Sequence, residues 1–122
     1  MDDSTLDGDD TISASIDVTQ LALRSSGHML QMIEGPGAPR VISLIEDRDV
    51  VGRSIEASIY IPSSLLSREH MALERVEGEI RAKDLGSRNG VYLNGLRIHA
   101  VILRNGDLIQ CGDVVFEYRE GV

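Results

Sequence analysis

The chain has 122 residues, a net charge of −8 and a single cysteine. That length suits one domain with a tail. The lone cysteine excludes an intrachain disulfide, and the acidic balance argues against a nucleic-acid partner, whose phosphates call for a basic face.

Residues 1–27 carry six aspartates against one arginine, so most of the charge excess lies there. The segment is too polar to offset its ordering entropy and is expected to be a tail that is disordered when free. Ile16, Val18, Leu21 and Leu23 interrupt it, as a weak strand, a docking stretch or a plain linker. Its start does not read as a secretory leader, and no apolar run in the chain is long enough to span a membrane. With no disulfide, the expectation is a cytoplasmic protein.

From His28 to Val122 the pattern changes to short apolar runs, the expected folded domain. Met29–Ile33 and Val41–Ile45 flank the turn Gly35-Pro36-Gly37-Ala38-Pro39. Ile59–Ile61 is closed by Pro62. Met71–Val76 and Ile80–Lys83 flank Glu77-Gly78-Glu79 as a hairpin, with Ile80 and Ala82 facing inward. Val91–Leu93 and Leu96–Ile98 flank Asn94-Gly95, a dipeptide that tolerates positive φ in a tight turn. Leu108–Cys111 and Val114–Tyr118 flank Gly112-Asp113. No stretch holds a sustained helical period, so the fold class is all-β, a sandwich. Aromatics are few, namely Tyr60, Tyr92, Phe116 and Tyr118, so the core is expected to be Ile, Leu, Val and Met, with Cys111 as a small buried hydrophobe. A base-stacking platform is not on offer.

Three polar turns stand between these runs: Val51-Gly52-Arg53-Ser54, Ser67-Arg68-Glu69-His70, and Asp84 to Gly95 with Ser87-Arg88-Asn89-Gly90 inside it. They supply guanidinium, hydroxyl and amide donors without a nucleophile–base pair, a composition that suits an oxyanion and most naturally a phosphate. His28, His70 and His99 are scattered, with no metal-ligand cluster and no phosphate-loop motif, so no enzyme, metal or cofactor is expected.

The order and spacing of the three motifs, from about Arg40 to Tyr118, resemble the forkhead-associated (FHA) family of phosphothreonine-binding domains. The resemblance implies a β-sandwich of two antiparallel sheets with about 11 short strands. It implies Arg53 and Ser67 as phosphate contacts, with Gly52 letting backbone and ligand approach closely, and His70 bracing the loop. Asn89 would bond the ligand backbone, and Arg88 would face the phosphothreonine. Arg68 is either a ligand contact or a solvated charge. Ser87, Gly90 and Asn94 would support the turns. The uncharged loop Pro62–Leu66 implies an apolar or small residue three places after the phosphothreonine.

The stretch Asp9–Asp17 is similar to the phosphorylated N-terminal segment of small actinobacterial FHA regulators of 2-oxoglutarate metabolism, although Asp10 stands where a second threonine is common there. Thr11, with Thr5 behind it, is the candidate phosphorylation site for a Ser/Thr kinase. About 16 residues separate Thr11 from the first strand, an extended reach of at most roughly 55 Å, enough to bring the tail to its own pocket. Self-inhibition by the phosphorylated tail, a purely solubilising tail and association between copies all remain open. The functional expectation is a monomeric phosphothreonine-peptide binding module, an adaptor or kinase-controlled switch. The alternative is a scaffold domain whose protein contacts ignore phosphate.

Overall fold

The computed structural model describes residues 27–121, which form two facing β-sheets. The expected tail and its threonines Thr5 and Thr11 lie outside the described residues. In chain order the strands are β1 (His28–Glu34), β2 (Arg40–Ser43), β3 (Arg48–Gly52), β4 (Ile59–Tyr60), β5 (Met71–Val76), β6 (Glu79–Asp84), β7 (Val91–Leu93), β8 (Leu96–Ile98), β9 (Ala100–Ile102), β10 (Leu108–Cys111) and β11 (Val114–Glu120). One sheet has the order β9-β6-β5-β3-β4, the other β2-β1-β11-β10-β7-β8.

Alternation builds the core. Along β11, Val114, Phe116 and Tyr118 turn inward, and Ile80 with Ala82 on β6 and Ile109 with Cys111 on β10 do the same. They meet Leu30, Met32, Val51, Ile61, Leu66, Met71 and Leu73 between the sheets. Contrary to the aliphatic core expected, Tyr118 and Phe116 are the largest fully buried side chains. Tyr118 is tolerated because its hydroxyl donates to Glu120 Oε2 at 3.0 Å and stands 2.6 Å from His28 Nδ1. Burial, with Glu120 beside it, pushes the phenol far above its ordinary value.

The two-residue turns fix the registers. Glu77-Gly78 and Asn94-Gly95 both take positive φ and close β5–β6 at Val76↔Glu79 and β7–β8 at Leu93↔Leu96. Asn94 is locked further, because Oδ1 accepts from Leu108 N and Nδ2 donates to Asp107 Oδ1.

Three details depart from expectation. The sheets are not wholly antiparallel, since β3 and β4 pair in parallel at Val51↔Ile59 and Gly52↔Tyr60. A crossover normally needs a dozen residues or more. Here the overlap is two residues, so the chain from Arg53 to Ser58 doubles back far enough, and Ser58 Oγ accepts from Val50 N to tie the loop down. Second, β2 stops at Ser43, where Leu44 turns into the core and Ile45 is left 58% exposed. Third, β9 carries no turn signal in its sequence. The chain leaves β8 in one sheet and enters β9 in the other across His99 alone, and the His99 carbonyl accepts from Asp84 N at 2.8 Å.

Candidate functional site

Three loops meet at one edge of the sandwich: the segment after β3, the segment before β5 and the β6–β7 connection. Gly52 is the joint between the first two. A Cβ placed on it would stand 1.9 Å from the Arg68 carbonyl oxygen and 2.7 Å from its carbon. The bare glycine therefore admits the backbone of the second loop. That approach lets Arg53 N donate to Ser67 O and Ser54 N donate to Arg68 O, at 3.1 and 3.2 Å.

His70 is fully buried and ties the second loop to the third. Its Nδ1 accepts from Ser67 N at 3.0 Å, so the proton sits on Nε2, which donates to Gly90 O at 2.8 Å. Ser67 Oγ accepts from Arg88 N at 3.0 Å, leaving the hydroxyl hydrogen for a ligand. In the third loop Ser87 N donates to Asp84 Oδ1 and Ser87 Oγ accepts from Gly90 N. Asn89 Nδ2 donates to Leu65 O at 2.8 Å, which leaves Oδ1 free to accept.

These bonds shape a groove lined by Arg53, Ser64, Leu65, Leu66, Ser67, Arg68, Glu69, Arg88 and Asn89. Its volume is about 310 Å³, at the low end for a small-molecule cleft, which suits one side chain with its phosphate better than a large cofactor. Among the described residues, the side chains of Arg53, Arg68 and Arg88 have no hydrogen bond or ion pair, so three guanidinium groups face the opening uncommitted. The groove thus gathers Arg53, Ser67, Arg68, Arg88 and Asn89. Gly52, His70, Ser87 and Gly90 lie behind it as loop joints, and Asn94 stands apart at the β7–β8 turn.

A second groove, of about 400 Å³, adjoins the first through shared Leu65 and Asn89 and continues over Tyr92, Gln110 and Gly112. Its Leu65 wall is held from behind. Ser63, 4% exposed, donates to Asp113 Oδ1 and accepts from Leu65 N. The position of a Cβ on Gly112 would be 2.9 Å from both Leu65 Cβ and its carbonyl oxygen.

Sequence reasoning passed over Arg97. Its guanidinium rests on Gly90, with Nε 2.9 Å and Cζ 3.0 Å from where a Cβ would be. The signal was available: a two-residue turn at Asn94-Gly95 forces Arg97 opposite Tyr92. Elsewhere among the described residues, no three His, Cys, Asp or Glu side chains stand close enough to share a metal ion, and no helix is long and apolar enough to cross a membrane.

The family model of the FHA domain matches residues 50–112, the span that holds all three loops. The oxoglutarate dehydrogenase inhibitor of Corynebacterium diphtheriae is 32% identical over 93 residues, 76% of this chain and 65% of that protein. The glycogen accumulation regulator GarA of Mycolicibacterium smegmatis is 31% identical over 90 residues, 74% of this chain and 57% of its own length. The chain thus spans somewhat under two thirds of these relatives. Mycobacterium tuberculosis EmbR in complex with a low-affinity phosphopeptide superposes with a TM-score of 0.73 at 28% identity, covering 80% of this chain and 25% of that one. On the motif match and the shared sandwich, the chain belongs to the FHA domain family.

Proposed function

We propose that the protein binds phosphothreonine peptides at the groove between Arg53, Ser67 and Arg88, and that kinase phosphorylation governs the binding. The observation that carries this is the set of uncommitted donors at one opening. Three unpaired guanidinium groups stand beside a serine hydroxyl whose acceptor side is already taken by Arg88 N. A phosphate monoester brings about −1.5 to −2 charge and three strong acceptors, the complement of that set. Membership of the FHA family and the phosphopeptide held by EmbR point the same way. Asn89 Oδ1 is free for the ligand backbone, and Leu65, with the groove beyond it, favours an apolar or small residue three places on.

The nearest supply of ligand is the tail. Thr11 phosphorylated by a Ser/Thr kinase would dock on its own groove at an effective concentration on the order of millimolar, as short flexible tethers give. The groove would then be closed to outside proteins. The corynebacterial relative is an oxoglutarate dehydrogenase inhibitor, which supports a regulator that acts by protein contact.

Calorimetry of the full chain against a peptide spanning Asp3–Gln20, with and without phosphate on Thr11, tests this. Binding of the phosphorylated form alone is expected. Arg53→Ala should abolish most of it, since truncating one partner of a charged hydrogen-bonded pair costs about 2–5 kcal/mol. A folded Arg53→Ala chain with undiminished affinity for any phosphothreonine peptide would place the phosphate elsewhere.

A further inference from the structure

Arginine pairing over the described surface is uneven. Arg40 donates to the Tyr60 carbonyl, Arg75 to the Leu44 carbonyl, Arg48 and Arg81 grip Glu74, and Arg119 faces Glu117. Arg53, Arg68, Arg88, Arg97 and Arg104 have no side-chain hydrogen bond or ion pair among the described residues. Arg104 stands before β10, at the end of that strand remote from the Gly112-Asp113 turn. Of the other four, three line the phosphate groove, and Arg97 covers Gly90, the residue next to Asn89 of that lining.

Arg97 is held there by rigid parts. Its hairpin turn is pinned by both polar atoms of the Asn94 side chain. Its cross-strand partner is Tyr92, which lines the second groove. That groove begins where the first one ends, at Leu65 and Asn89, and none of its lining residues is acidic. An extended peptide whose phosphate sits between Arg53 and Ser67, and whose backbone meets Asn89, therefore runs on toward Tyr92, one cross-strand pair from Arg97. A guanidinium laid flat beside the path of a ligand, with no anion of its own, is a fork for a carboxylate or a phosphate.

We propose that Arg97 forms a second anion subsite, which takes an acidic side chain or a second phosphate on the same peptide that presents the phosphothreonine. The subsite rests on the phosphothreonine reading and extends it from one anion to two. The tail has the matching chemistry, with Asp9, Asp10 and Asp17 on either side of Thr11.

The test uses the full chain and a neutral phosphothreonine peptide, into which a single aspartate or a single phosphoserine is moved from three places before to six places after the phosphothreonine. Wild type, Arg97→Gln, Arg97→Lys and Arg53→Ala are compared by calorimetry. In wild type, at least one position should tighten binding by about 2- to 10-fold, as for a partly exposed charge pair. Arg97→Gln should lose that gain yet bind the neutral phosphothreonine peptide within about twofold of wild type, and Arg97→Lys should keep part of it. A gain from aspartate identifies a carboxylate as the second anion, and a gain from phosphoserine alone identifies a second phosphate. If Arg97→Gln binds every charged peptide as wild type does, the subsite is refuted. A different failure, in which wild type ignores all phosphothreonine peptides or Arg53→Ala binds them unchanged, overturns the phosphothreonine reading and the subsite with it.

Discussion

Gly52→Ala separates the two jobs assigned to this glycine, room for a ligand or room for a neighbouring loop. A methyl at this position lies 1.9 Å from the Arg68 carbonyl oxygen, whereas comfortable carbon contacts begin near 3.5 Å. The loop must therefore retreat by about 1.5 Å. The Arg53 N–Ser67 O and Ser54 N–Arg68 O bonds, now 3.1 and 3.2 Å, would open beyond the range of a hydrogen bond. Two such bonds contribute about 0.5–1.5 kcal/mol each. Residual strain adds about 1–3 kcal/mol, against about 0.4–1 kcal/mol gained from the stiffer unfolded chain. The net loss is about 1–5.5 kcal/mol, centred on about 3 and so below the 5–15 kcal/mol typical of a domain, and the fold should survive. Moving Ser67 away from Arg53 by that distance also removes its charged hydrogen bond to phosphate, which weakens binding tenfold or more. Urea unfolding read beside phosphopeptide calorimetry checks both halves. An unchanged midpoint would mean that the loops do not depend on this contact. A lowered midpoint with full affinity would mean that Ser67 does not touch the phosphate.

Three further outcomes follow from the same geometry. Asp113→Ala strips the buried Ser63 hydroxyl of its acceptor, at about 1–3 kcal/mol, and should weaken phosphopeptide binding through Leu65; the double variant with Ser63→Ala should cost no more than the worse single one, and strict additivity in calorimetry and unfolding would refute the coupling. Burial, with Asp84 beside it, pushes the Cys111 thiol up to about 12, so a thiol reagent at pH 8 should label the unfolded chain and leave the native one untouched; labelling at the rate of a free thiol would show that β10 opens readily. Hydrogen bonding from Arg81, helped by Arg48, holds the Glu74 carboxyl below its ordinary 4.5. A lowered folded-state value stabilises the fold above the unfolded value and is lost as pH falls through the folded one. The stability gap between wild type and Glu74→Gln should thus be full at pH 7 and shrink below about pH 4.5, and a gap that does not change with pH would exclude the ionic origin.

The parts legible in the sequence were those with a local cause. Asn94-Gly95 and Gly78 announce their turns because Asn and Gly are among the few residues that readily accept positive φ, and once the turn is set the register follows. The alternation at Ile80 and Ala82 marks a half-buried strand for the same local reason. What stayed hidden depends on distant partners. Tyr118 is buried only because His28, 90 residues away, and Glu120 satisfy its hydroxyl. Strand β9 exists because β6 offers it an edge at Ala100↔Lys83. Gly52 looks like any flexible glycine until the Arg68 carbonyl is seen against it. In the candidate site the sequence named the groups but not their division of labour, which is set by the bonds between loops.

That division decides what the groove can do. To act as a nucleophile and its base, Ser67 and His70 would have to bond directly through the hydroxyl and a free ring nitrogen. Here His70 Nδ1 is taken by the Ser67 amide and Nε2 by the Gly90 carbonyl, so the imidazole has no nitrogen left with which to accept a proton from the hydroxyl. Ser67 Oγ in turn accepts from Arg88 N. Each loop-to-loop bond consumes one polar atom and leaves its counterpart outward: a hydroxyl hydrogen on Ser67, an amide oxygen on Asn89. The atoms left over are donors for an anion and one acceptor for a peptide N–H, already aimed before any ligand arrives. Preorganised groups of this kind gain affinity by avoiding ordering costs on binding. The same bonds that make the loops rigid thus aim the donors that the proposed phosphopeptide site requires.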